Sequence, residues 1–93
     1  MVRFYLFVYD VVDDKRRENV AKALEAVGTR VQYSVFETYL TKKELEVERK
    51  RLLELIDPDE DSIRIYFLCR ECLEKVVTMG VGEITSPPKF RII

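Results

Sequence analysis

An α+β fold, an antiparallel sheet with helices on one face, is predicted for this 93-residue chain by three observations. The chain opens on MVRFYLFVYD, where Val2 to Tyr9 is apolar or aromatic throughout except for Arg3, a short buried strand. Stretches of helical spacing and of strand-like alternation then follow one another in the order β-α-β-β-α-β. The second helix also marks its own start, because Thr41-Lys42-Lys43-Glu44 is a capping box.

In the first helix, Asp13 or Asp14 serves as N-cap and the segment runs to about Val27, with Gly28 as a natural stop. Val20, Ala23, Leu24 and Val27 form its inward stripe. Thr29 to Phe36 reads as a strand, and Glu37 to Leu40 continues it after a tight turn or bulge near Tyr33-Ser34, which makes two antiparallel strands. The helix opened by Thr41 runs to about Ile56, with Leu45, Leu52, Leu53 and Ile56 inward and Arg49 on the same face. Asp57-Pro58 stops it. Asp57, Asp59 and Asp61 resemble the start of a calcium loop, but Ser62 stands where that loop needs Gly and Leu68 where it needs Glu. A solvated acidic turn is the better reading. Ser62 to Leu68 is a further strand, Arg70 to Lys75 a short helical turn, and Val76 to Met79 a brief strand. The chain divides into a domain over 1–80 and an extension over 81–93, whose closing FRII is expected to add an edge strand at a dimer interface.

That element order is the ferredoxin-like sandwich, with both helices on one face of the sheet. The other face needs a cover. Arg3, Tyr5, Phe7 and Tyr9 share one side of the first strand, and Phe4, Leu6 and Val8 the other. The aromatic side is expected to be the one left open and covered by a second copy of the chain.

Composition limits the chemistry. Hydrophobic residues make up 47% of the chain and charged residues 35%, as in a globular protein, and no apolar run approaches the roughly 20 residues needed to cross a bilayer. A cytoplasmic protein with no membrane partner is expected. The net charge of -1 advertises no global basic field for nucleic acid. Histidine is absent, which rules out Ser-His-Asp and Cys-His nucleophile systems and every His-ligated metal site. Cys69 and Cys72 form a lone C-x-x-C without the second pair that a zinc ribbon needs, so two half-buried thiols on a short helix are expected.

Polarity returns abruptly at Asp10, an acid at the carboxyl end of the first strand and just before a helix, where α/β-type sheets tend to place chemistry. A charge ending a buried strand has a desolvation cost unless it is partnered. Two copies of Asp10 across a dimer axis would suffice to hold Mg²⁺, or another hard divalent cation, which typically uses one or two carboxylates with waters and phosphates. Asp10 is therefore both the candidate catalytic residue and the candidate metal ligand. Tyr9, Ser34 and Phe36 are expected to line the site, with Arg16, Arg17 and Arg30 on a nucleic-acid backbone. The plainer role for Arg16 and Arg17 is pairing with Asp13, Asp14 or Glu18.

VYD at 8–10, DDKRR at 13–17, RVQYSVFE at 30–37, T-x-x-E-L at 41–45 and DPDEDSIRIYFLCRECLEK at 57–75 together resemble the CRISPR-associated Cas-two family, over residues 2 to about 80. The resemblance implies small ferredoxin-like homodimers, a terminal strand extending the partner's sheet, and a Mg²⁺-dependent endonuclease acting on RNA or DNA at the aspartate matching Asp10. It also implies a DNA-binding subunit that works beside the CRISPR integrase in spacer acquisition. Two alternatives stand beside the nuclease: a non-catalytic structural clamp in that complex, and an RNA-binding sheet that stacks bases on the aromatics of the first strand.

Overall fold

The computed structural model describes residues 1–86, and its elements are β1 (Arg3–Asp10), α1 (Asp14–Glu25), β2 (Gly28–Gln32), β3 (Val35–Leu40), α2 (Lys42–Leu55), β4 (Ser62–Leu68) and α3 (Arg70–Glu74). The four strands form one sheet in the order β2-β3-β1-β4, every neighbouring pair antiparallel. This is the predicted ferredoxin-like arrangement. β1 is central because it has the longest apolar run, and a central strand is covered by neighbours along both edges. Phe7 faces Phe36 on β3 and Ile65 on β4, which fixes the register.

The helices cover the side of β1 that carries Tyr5, Phe7 and Tyr9, and these rings join Val20, Leu24, Phe36, Leu40 and Leu52 in the core. This reverses the sequence expectation that the aromatic side is open. Alternation separates two faces without saying which one meets the helices. The larger rings remove more apolar surface from water, and the helices settle on them. Leu6 and Val8, half-buried, lie on the open face instead. With Tyr5, Phe7 and Tyr9 buried, base stacking on the strand-one aromatics is excluded.

α1 is capped by Asp13, whose carboxylate accepts from the Arg16 backbone N–H at 2.9 Å. The helix ends at Glu25, before the predicted Val27, and Gly28 opens β2 without a left-handed φ. Its role is close approach: a Cβ there would lie 2.6 Å from both the Glu37 carbonyl oxygen and Thr38 Cγ2. The predicted capping box is present in α2, with Glu44 N–H donating to Thr41 Oγ1 and Thr41 N–H to Glu44 Oε1. Its inward stripe is Leu45, Glu48, Leu52 and Leu55. Leu53, expected inside, is exposed, and Arg49 is exposed and paired with Glu46 at 2.9 Å. Leu45, Leu52 and Ile56 pack inward as expected; the difference is that Leu55 and Glu48 take the buried side in place of Leu53 and Arg49.

Val76 to Met79 is not a strand, and Val77 and Met79 are exposed. Positive φ at Gly80 and Gly82 turns the chain toward the open face. There Thr85 is held at both ends: its carbonyl accepts from the Tyr39 hydroxyl at 2.7 Å and its N–H donates to Glu37 Oε1 at 2.9 Å. Residues 81–86 contain no strand, and the predicted terminal edge strand, FRII, lies outside the described residues. No helix among the described residues is long and apolar enough to cross a membrane.

Candidate nucleic-acid interface

At the carboxyl end of β1 the turn joining β2 to β3 and one face of α1 enclose a cleft of about 610 Å³. Five of the predicted residues line it: Tyr9, Asp10, Arg17, Arg30 and Ser34. Tyr9 is buried and builds the wall, its hydroxyl donating to the Tyr33 carbonyl at 3.0 Å and its N–H to the Ser34 carbonyl at 3.0 Å. Both bonds fix the β2–β3 turn over the cleft, and the Tyr33 side chain is left 90% exposed at the tip.

The α1 wall follows helical spacing, with Asp14, Glu18, Ala21, Lys22 and Glu25 facing the cleft. Lys22 was not among the predicted residues, although its i,i+4 spacing from Glu18 was a signal for it. The charges here are matched in pairs. Asp14 meets Arg17 at 2.8 Å, Glu18 meets Lys22 at 3.2 Å, and Glu25 meets Arg30 at 3.8 Å. Lys22 holds the Glu18 carboxyl below its usual range, first through their hydrogen bond. Arg17 also donates to the carbonyls of Val11 and Val12, both at 3.1 Å, and so ties α1 to the loop that follows Asp10.

Asp10 differs from the other acids of the cleft. It is exposed, and among the described residues it has no ion pair or side-chain hydrogen bond. The expected desolvation cost is therefore absent, because β1 ends at the surface. Alternation along β1 places Asp10 with Leu6 and Val8, so it stands where the cleft meets the open face of the sheet.

Two predicted residues lie elsewhere. Phe36 is fully buried in the core, its ring stacked on Tyr9 at 6.2 Å, and it supports Arg30, whose guanidinium sits 5.2 Å from its centroid. Arg16 points away from the cleft and is bound by the loop before β4. Its Nε donates to Asp61 at 2.8 Å and its Nη2 to Glu60 at 3.0 Å. The plainer reading of Arg16, a pairing role, is the correct one, with different partners from those expected.

The reading of 57–61 as a solvated acidic turn also fails at Asp61, whose side chain is fully buried. Its carboxylate accepts from Arg16, from Val12 N–H at 2.9 Å and from Asp57 N–H at 2.9 Å. The Arg16 guanidinium, followed by those two backbone donors, holds the Asp61 carboxyl far below the usual carboxylate range. Asp61 thus clamps the β1–α1 loop, and with it the end of the strand that carries Asp10.

One chain offers a metal ion little. Among the described residues no three His, Cys, Asp or Glu side chains gather into a ligand set. The donor chemistry fits a hard cation at Asp10, an unpaired carboxylate oxygen ligand at the surface, only if a second set of oxygens faces it.

The family model for CRISPR associated protein Cas2 matches residues 1–76. The chain is 43% identical over 93 residues to a CRISPR-associated endoribonuclease Cas2 of Chloroflexus aurantiacus, covering 100% of both chains. Its fold superposes on a crystal structure of Streptococcus pyogenes Cas2 with a TM-score of 0.73 and 39% identity, covering 83% of this chain and 99% of that one. It is also similar to a chain of a partial Cas6-RT-Cas1–Cas2 complex, with a TM-score of 0.77 and 27% identity, covering 98% of this chain and 99% of that one.

Proposed function

The chain belongs to the CRISPR associated protein Cas2 family, and from that premise we propose that it is a Mg²⁺-dependent endonuclease that hydrolyses phosphodiester bonds of RNA or DNA as a homodimer. The observation that carries this reading is Asp10, the one acid lining the cleft that has no cationic partner among the described residues. Two chains related by a two-fold axis across the open face would bring two Asp10 carboxylates together. A hard divalent cation held there would supply an activated water and neutralise charge on the scissile phosphate. Arg17, Lys22 and Arg30 bind and orient the phosphate backbone along the cleft, and Tyr9 and Ser34 fix the turn that forms its far wall.

A second reading is favoured by the similarity to a chain of a Cas1–Cas2 complex. In it the dimer is a non-catalytic clamp on DNA, beside an integrase of the Cas1 type, in the acquisition of spacers for antiviral defence. Asp10→Asn separates the two. Because the Asp10 side chain has no hydrogen bond or ion pair among the described residues, the melting temperature of the variant is expected to stay that of the parent. Under the first reading cleavage in Mg²⁺ falls by about a hundredfold or more. Cleavage by the variant at the parental rate refutes that reading. Loss of cleavage with spacer acquisition intact assigns the cellular role to the clamp.

A further inference from the structure

Cys69 and Cys72 are used neither by the core nor by the cleft. Cys69 is the N-cap of α3 and Cys72 is the third residue of the same turn, with its N–H donating to Cys69 Sγ at 3.4 Å. The predicted half-burial is not found: both thiols are free and exposed. They are therefore close together and open to a small reagent, with no core packing to disrupt. Cys69 also opens onto a broad apolar groove shared with Phe4, Phe67 and Leu73.

The two thiols are not equivalent. Hydrogen bonds from the Cys72 N–H and then from the Cys72 thiol favour the Cys69 thiolate and lower its pKa. Cys69 in turn raises that of Cys72. This is the asymmetry of an attacking sulfur beside a resolving one.

We propose that Cys69 and Cys72 form a redox-active dithiol that closes reversibly to an intramolecular disulfide, with Cys69 as the attacking sulfur and a low-molecular-weight disulfide as oxidant. With oxidised glutathione, the Cys69 thiolate attacks one glutathione sulfur. The glutathione S–S bond breaks and the first glutathione leaves as a thiolate. Cys72 gives its proton to solvent and attacks the Cys69 sulfur of the mixed disulfide, and the second glutathione leaves as a thiolate. Two protein thiols are oxidised and one glutathione disulfide is reduced to two thiols. Closure ties the first turn of α3, which packs on β1 and β4 and leads into the segment that crosses to Thr85.

The test incubates the reduced full chain with excess oxidised glutathione, quenches with acid, alkylates, and reads intact mass and a peptide map. The expected result is loss of both alkylatable thiols, a mass lower by two hydrogens, and a Cys69–Cys72 bridge within one chain. Cys72→Ser is expected to trap glutathione on Cys69, while Cys69→Ser reacts several-fold more slowly. Unchanged thiols, glutathione retained on both cysteines, bridges between chains, or equal rates for the two variants would each overturn the proposal. The parental chain decides the bridge by itself, so misfolding of a variant does not leave the question open.

Discussion

Glu48 is the least satisfied charge in the described part of the molecule, and replacing it should stabilise the fold. The residue is 3% exposed on the inward face of α2, beside Val27 and Leu40. Among the described residues its Oε1 has no hydrogen-bond partner, and its one ion-pair contact is Arg51 Nη1 at 3.8 Å, on a half-exposed side chain. A buried polar atom left unpaired costs roughly 1–3 kcal/mol, and more when charged. The long contact to Arg51 returns about 0.5 kcal/mol or less. Glu48→Met removes both and fills similar space, so the net gain at neutral pH is about 1–2 kcal/mol. For a domain of this size that raises the melting temperature by about 4–16 °C, measured at one protein concentration.

The pH dependence fixes the cause. Burial raises the Glu48 pKa above its ordinary 4.5 in the folded state, the Arg51 charge opposing it in part. The folded chain therefore binds this proton more tightly than the unfolded chain does. The cost is absent below about pH 4.5, grows as pH rises through the raised value, and is complete above it. Glu48→Gln, which keeps the shape and removes only the charge, should match the parent near pH 4 and exceed it at pH 7. Thermal melts of parent, Gln and Met forms across that range are the assay. A Met form no more stable than the parent at pH 7, or a Gln advantage that persists unchanged at pH 4, would refute the reasoning.

Asp61→Asn removes the charge from the clamp on the β1–α1 loop, and should lower the melting temperature at neutral pH. Because the folded-state pKa of Asp61 is depressed below its ordinary 3.8, the deficit is full above pH 3.8 and shrinks as pH falls further; a deficit that grows in acid contradicts the assignment. Gly28→Ala forces a methyl to 2.6 Å from Glu37 O and Thr38 Cγ2, and should cost about 1–3 kcal/mol by denaturant titration. Tyr33→Ala removes an exposed ring from a turn held by Tyr9, and should weaken binding of single-stranded nucleic acid by about 1–3 kcal/mol with the melting temperature unchanged; equal affinities in a fluorescence titration would show that the ring takes no base.

The elements were legible because their signals are local. The capping box at Thr41, the alternation of Ser62 to Leu68 and the turn at Tyr33-Ser34 each depend on neighbours within a few residues, and each forms where expected. What failed required knowledge of what lies across the sheet. Alternation on β1 does not choose between its faces; the choice falls to ring volume under two helices. The inward phase of α2 looked like Leu52-Leu53 because two leucines stand side by side, yet a helix can turn only one of them inward. Leu55 settles which one, and Glu48 is buried as a consequence.

Sequence position brought Asp10 together with Tyr9, Arg17, Arg30 and Ser34 around one cleft, because strand ends and turns gather whatever residues stand there. It did not identify Asp61, which is 51 positions from Asp10 in the chain and looks like any acid in a polar loop. The distinction between the two aspartates is one of partners. Asp61 meets a guanidinium and two backbone N–H groups, which stabilise a carboxylate and occupy its oxygens, so it can hold structure and can accept little else. Asp10 is without such partners among the described residues, and its oxygens face water at the edge of an open sheet. Under the proposed function, Asp10 is the carboxylate available to a ligand, and Asp61 is the one that holds the loop beside it. Since one such carboxylate is too few for a hard cation, the dimer is the part of the proposal on which the metal site depends.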